Sequence, residues 1–239
     1  MKSVRFLTKL ALNRLVGRFG YKIEKAVNLG DAAIDVFDLA VRCVMARTTD
    51  FFFIQIGAHN GSDDDPIREY VTRYHWKGIL VEPQPAVFRE LVANYHQEPQ
   101  LVFEHAAVAE KDGTAEMYVP HAEAGAGSLL ATFDREVLLR RVGWHTPIAT
   151  ISVPTLSITT LLRKHRVTRV DLLQVDAEGF DCEIIKMFDY SIAKPRLIRF
   201  EHINLSMYQR QECIQRLRDL GYRIAKDSID TVAYLPDGD

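Results

Sequence analysis

The chain has 239 residues, with 30 Lys and Arg against 32 Asp and Glu, a formal net charge of −2. That balance excludes a generally basic nucleic-acid binder. A composition 47% hydrophobic and 26% charged excludes wholesale disorder. No apolar run approaches the roughly 18–20 residues that cross a bilayer. Three cysteines, Cys43, Cys182 and Cys213, form no CxxC pair, so a reducing cytosol is expected rather than a disulfide framework.

Residues 1–25 carry Lys2, Arg5, Lys9, Arg14, Arg18, Lys22 and Lys25 against Glu24 alone. Val4, Leu7, Ala11, Leu15 and Phe19 recur at helical spacing, an imperfect stripe that Arg18 interrupts. Two readings stand open: a basic amphipathic helix on an anionic membrane, or a helix packed on the main domain or a partner subunit. Lys9 and Arg14 interrupt the apolar stretch and disfavour a secretory signal. A second helix is expected over about 31–46. Residues 1–49 are thus read as an N-terminal helical extension and 50–239 as the main domain.

In that domain short apolar runs alternate with helical patterns. Strands are expected at 51–56, 78–82, 101–105, 170–176 and 196–201. Helices are expected at 66–74, 85–95, 134–141, 156–165, 182–188 and 209–220, with Asp65 as the N-cap of the first. Residues 111–114 read as a hairpin turn returning through 115–119, and 151–153 as a resumed strand. Residues 222–225 and 231–235 read as a terminal antiparallel pair. An insertion at about 120–149 breaks the alternation and suits a lid or substrate loop, with Ser128, Arg140, Arg141, Trp144 and His145 offering groups for an acceptor. The pattern predicts an α/β fold with a mostly parallel sheet, in which ligands bind at the carboxyl ends of the strands.

Those strand ends carry the chemistry. The first runs Gln55-Ile56-Gly57-Ala58-His59-Asn60-Gly61, small residues that let the backbone turn sharply beside a ligand. It is neither GxGxxG nor a phosphate-binding loop. The second ends in Glu82-Pro83, 25 residues beyond Gly57, where a carboxylate can accept from both hydroxyls of a ribose. The third ends in His105-Ala106-Ala107, small enough to border an adenine ring. The fourth ends in Asp176-Ala177-Glu178-Gly179, where the reactive end of such a ligand would lie. The fifth ends in Glu201-His202-Ile203-Asn204.

Residues 54–61, Val81-Glu82-Pro83, the segment 173–179 and the strand end 200–204 together resemble the FkbM family of S-adenosylmethionine-dependent methyltransferases, over about 51–235. The resemblance implies a class I, Rossmann-like methyltransferase fold, a seven-stranded sheet flanked by helices, and methyl transfer to oxygen of a sugar, glycan or natural product. It implies S-adenosylmethionine as cofactor, held by Gln55, Ile56, Gly57, Ala58, Asn60, Gly61, Glu82, Pro83, Ala106, Ala107 and Asp176. His59 stands where members often carry another small or polar residue.

For catalysis, His202 is the preferred base, with Asp176, Glu178 and Glu201 as rivals, because imidazole titrates nearer neutrality. No metal site is assigned. Asp176, Glu178, Glu201 and His202 are nevertheless hard donors that suit Mg²⁺, and Asp63-Asp64-Asp65 is a lesser candidate. The expected partner is a small-molecule or glycan acceptor rather than a nucleic acid, in the cytoplasm, with residues 1–25 available for peripheral membrane contact. Two rivals stand beside this reading: a nicotinamide-dependent oxidoreductase, against which the absent GxGxxG argues, and a non-catalytic module on the same fold.

Overall fold

The computed structural model describes residues 35–63, 65–121 and 130–236. The proposed amphipathic helix of 1–25, Asp64, and the 123–128 part of the insertion lie outside these residues.

The central sheet follows from the apolar runs. β1 (Phe52–Ile56), β2 (Lys77–Val81), β3 (Leu101–Glu104), β7 (Leu172–Val175) and β8 (Leu197–Glu201) are parallel and lie in the order β3-β2-β1-β7-β8. β10 (Asp230–Tyr234) continues the sheet antiparallel to β8, and β9 (Arg223–Lys226) closes the edge antiparallel to β10. This seven-stranded α/β sheet, reversed once near its edge, is the class I methyltransferase fold that the sequence suggested.

Side chains alternate across the strands, so each face has its own core. Ile54, Ile56, Leu173, Val175, Ile198 and Phe200 bury one face against α5 (Ile158–Lys164), α6 (Asp181–Met187) and α7 (Met207–Asp219). Phe53, Leu80, Leu172 and Leu197 bury the other against α1 (Val36–Met45), α2 (Arg68–Tyr74) and α3 (Pro85–Asn94). α1 joins that core through Phe37, Val41 and Val44, one stripe at helical spacing, and Asp38 accepts from Tyr70 Oη of α2 at 2.6 Å. The helix expected within the extension is thus, from Val36 onward, part of the core. On this face Trp76 is 3% exposed and stacks between Phe51 and Tyr70, at centroid distances of 3.8 and 5.1 Å.

Three expectations differ. Residues 111–114 do not turn a hairpin between neighbouring strands. β4 (Ala107–Ala109) and β5 (Gly113–Pro120) each pair with β6 (Ile148–Ser157), which lies between them in a separate three-stranded sheet. The stretch expected as a short strand at 151–153 is the middle of this long β6. β5 and β6 form an antiparallel arm, and residues 121–147, including α4 (Arg135–Val142), connect its tips. Finally, Asp65 is not the N-cap of α2, which Ile67 occupies. Its carboxylate instead accepts from Ile67 N, Gln55 Nε2 and Tyr95 Oη, at 2.9, 3.2 and 2.8 Å. A tertiary hub outcompetes the local cap. No helix among the described residues is long and apolar enough to cross a membrane.

Candidate active site

The turn after β1 is shaped by residues that only this path tolerates. Gly57 has φ +75°, and a Cβ there would fall 1.8 Å from the Asp176 carbonyl oxygen. Gly61 has φ +64°, and a Cβ would meet the Tyr95 ring at 2.4 Å. Between them His59 takes φ +47°, an uncommon region for a residue with a Cβ. Asn60 locks the turn: its Oδ1 accepts from Ser62 N and Asp63 N, both at 3.0 Å, and its Nδ2 donates to Asp63 Oδ2 at 2.8 Å.

The turn delivers a backbone donor to Glu82, which is 3% exposed. His59 N donates to Oε2 at 3.0 Å and Gln84 N to Oε1 at 2.9 Å. Both oxygens are therefore fixed in place, each with acceptor capacity left. Burial pushes this carboxyl up to about 7, against the pull of the two N–H donors.

These groups border a cavity of about 450 Å³ at the carboxyl ends of β1, β2 and β7. Gln55, Ile56, Gly57 and Ala58 line it from β1, and Glu82 and Pro83 from β2. Ala106 and Ala107 form its apolar end, with Met117. Asn60 and Gly61 do not line it; they hold the turn that does.

The opposite end is acidic. Asp176, Glu178 and Glu201 line it together with Arg141. Asp176 is open to solvent within the cavity, yet enough protein surrounds it to raise its carboxyl; nearby Arg199 and Arg141 oppose that rise. Glu178 has φ +47° and is pushed up to about 8 by burial, Asp176 and Glu201. Glu201 is pushed up to about 7 by burial and Asp176. Asn204 Nδ2 donates to both, to Glu178 Oε2 at 2.8 Å and Glu201 Oε2 at 2.6 Å. Beneath them Asp181 is fully buried and caps the turn, accepting from Ala177 N and Gly179 N at 3.4 and 3.2 Å. Burial and its acidic neighbours raise Asp181 well above the usual carboxylate range.

His202 is elsewhere. It is 5% exposed, is not among the cavity-lining residues, and its Nδ1 lies 3.0 Å from Thr231 Oγ1. Burial, Arg210 and Lys226 lower its pKa. The expectation that its ring reaches the face of Asp176 and Glu178 is not met. Glu201 already faces the cavity, so the next side chain faces away. Nor do Asp176, Glu178, Glu201 and His202 converge: among the described residues no group of three or more His, Cys, Asp and Glu could hold a metal ion.

Several lining residues were not anticipated. Gln174 lies beside Gln55 in register, donating neither to it nor to Asp176, and accepts from Arg199 Nη1 at 3.2 Å. Gln55 Oε1 is buried without a hydrogen-bond partner. Leu130, Ala131 and Phe133 enter from the 121–147 connection, where Phe133 packs edge-on against Phe180. Of the acceptor residues expected there, Arg141 lines the cavity, whereas Arg140, Trp144 and His145 are exposed and do not. Trp144 is 64% exposed.

A glycine turn, an anchored carboxylate at the next strand end and small residues at the third stand together on a class I methyltransferase fold, an arrangement whose shape and polarity suit a nucleoside. The turn lacks the Cβ atoms that would close it, and the cavity runs unbroken from Glu82 to Asp176. S-adenosylmethionine fits this set of residues. The model of the FkbM methyltransferase domain matches residues 55–224, and the chain belongs to that family of S-adenosylmethionine-dependent methyltransferases. That membership displaces the oxidoreductase rival.

No curated protein matches the chain. Similar solved structures include a precorrin-6y C5,15-methyltransferase from Geobacter metallireducens, at 10% identity, TM-score 0.41, covering 87% of this chain and 92% of that one. Another is the N-terminal domain of human METTL16 in complex with SAH, at 12% identity, TM-score 0.43, covering 95% of this chain and 81% of that one.

Proposed function

We propose that the protein transfers the methyl group of S-adenosylmethionine to a hydroxyl oxygen of a sugar, glycan or natural product. The observation that carries this reading is one cavity with two chemically distinct ends, apolar Ala106, Ala107 and Met117 with the anchored Glu82 at one and the Asp176, Glu178, Glu201 group at the other.

When bound, the cofactor supplies a methyl group already activated by a positively charged sulfur. Glu82 would accept from the ribose hydroxyls, with Gly57 and Ala58 beside the methionine part and Ala106 and Ala107 beside the adenine. The chain must then orient a hydroxyl and take its proton. Three carboxyls raised toward neutrality suit that task better than carboxylates near their ordinary pKa. We assign the proton to Glu178 and Glu201, with Asp176 between cofactor and acceptor, in place of His202.

The charge of the cavity favours the acceptor class. Asp63, Asp65, Glu82, Asp176, Glu178 and Glu201 line it against Arg141 as its lysine or arginine cation. A donor-rich, uncharged molecule such as a polyol suits these walls, and a phosphorylated one is repelled. The catalytic domain on this reading begins near Val36. A cytoplasmic location, with membrane contact through residues 1–25, completes the proposal, and flotation with anionic vesicles tests that contact.

The test is incubation with methyl-labelled S-adenosylmethionine and an extract of the source cell, followed by mass identification of the product. A methyl ether on an uncharged hydroxyl compound is expected. Label on nitrogen or carbon, or on a phosphorylated product, would overturn the assignment.

A further inference from the structure

The acidic end of the cavity is held by more than its own strands. One Asn204 amide nitrogen, with two hydrogens, serves Glu178 and Glu201 at once. Asn204 Oδ1 accepts from Arg141 Nη1 at 3.4 Å, and that nitrogen stands 3.9 Å from Glu201 Oε1. The guanidinium thus fixes which way the amide points: flipped, its oxygen would face two carboxyls and its nitrogen a cation.

Arg141 belongs to α4, in the connection between the tips of the arm. The same connection touches the turn of Glu178 at two further points. Thr132 Oγ1 donates to the Glu178 carbonyl oxygen at 2.8 Å. Val137 packs on Gly179 so closely that a Cβ there would meet its Cγ2 at 3.1 Å. Glu178 keeps its left-handed φ between these two contacts.

We propose that Asn204 is a positioning residue for methyl transfer and that Arg141 orients it, so that Glu178 and Glu201 act as one proton-accepting unit completed by the 130–142 segment. This rests on the reading of the site as one that methylates a hydroxyl. Asp176 after β7 raises both carboxyls, Asp230 on β10 raises that of Glu201, and the charge of Glu201 in turn helps raise buried Asp181 of α6. Arg141 and the Asn204 amide oppose them. Removing the amide leaves the charged forms less stabilised, so the pair holds its protons to higher pH and accepts one less readily at neutrality.

The experiment uses the full chain and needs no acceptor for its first arm. Side-chain carboxyl carbons are followed by NMR between about pH 5 and 10, with Glu178→Gln and Glu201→Gln assigning the pair. In Asn204→Ala both titrations should move up by about one pH unit. Arg141→Ala, which removes a nearby cation as well as the group that orients the amide, should move them up at least as far, and Asn204→Ser should recover part of the shift. Affinity for S-adenosylhomocysteine should stay within about twofold in each. With an acceptor in hand, kcat should fall with the KM for S-adenosylmethionine unchanged, and the pH–rate profile should move to higher pH. Unmoved titrations, or titrations that move only as cofactor affinity is lost, would overturn the proposal. If no hydroxyl is methylated, the O-methylation reading fails, and the carboxyl titrations still decide the link between Asn204 and the pair.

Discussion

Glu82→Gln tests the cofactor site with little change of shape. The carboxylate receives His59 N on one oxygen and Gln84 N on the other. An amide keeps one acceptor oxygen and places an NH₂ where the second stood. One backbone N–H then faces a donor, and one ribose hydroxyl loses a charged acceptor. A hydrogen bond to a charged group contributes about 1.5–3 kcal/mol, so S-adenosylhomocysteine should bind roughly tenfold to 150-fold more weakly. Folding should respond differently. The substitution also removes a carboxyl that burial has already raised to about 7, so above that pH it spares the apo protein a buried charge. Calorimetric titration with S-adenosylhomocysteine at about pH 8, alongside a melting curve of the apo protein, separates the two effects. A dissociation constant within about twofold of wild type would refute the ribose assignment.

Other outcomes follow from the same geometry. Gly57→Ala places a methyl 1.8 Å from a backbone oxygen at a positive φ. It should cost about 3 kcal/mol or more and lower the melting temperature by about 6 °C or more. His202→Ala should leave S-adenosylhomocysteine affinity and methyl transfer near wild type, while the unpartnered Thr231 hydroxyl costs about 1–2 kcal/mol of stability in a denaturant titration. A large fall in turnover without loss of stability would return the base to the imidazole. The apo protein should lose stability as pH rises. Glu82, Glu178 and Glu201 have folded pKa values of about 7, 8 and 7, above those of an unfolded carboxyl, so their contribution is complete below about pH 4.5 and is lost through pH 7–8. Melting temperatures that are flat from about pH 5 to 9 would contradict that coupling.

The central sheet was legible because its strands are short, apolar and buried on both faces. Phe53-Ile54-Gln55-Ile56 and Leu172-Leu173-Gln174-Val175 leave little else to do with those residues. The arm was not, because β5 is partly exposed and pairs with a strand whose start lies 35 residues after Gly113. Local pattern reports a turn at 111–114 but not which strand lies beyond it. In the site, the glycine turn and Glu82 follow from position alone. His202 was misplaced although the signal was available: Arg199 and Glu201 share a face with Gln174 and Asp176, and a residue between strand positions of one parity points to the other. Asn204 had no signal of its own, since its partners arise from three separate segments.

The two tryptophans of the chain fall in opposite surroundings. Trp76 is sealed in a stack of rings beneath the sheet, and Trp144 stands in solvent two residues beyond α4. Iodide should therefore quench the emission of Trp144 and spare that of Trp76. A Trp76→Phe protein would glow from Trp144 alone, three residues from the arginine that steers Asn204. Its colour and polarisation would then follow the seating of that segment in real time, without any attached dye.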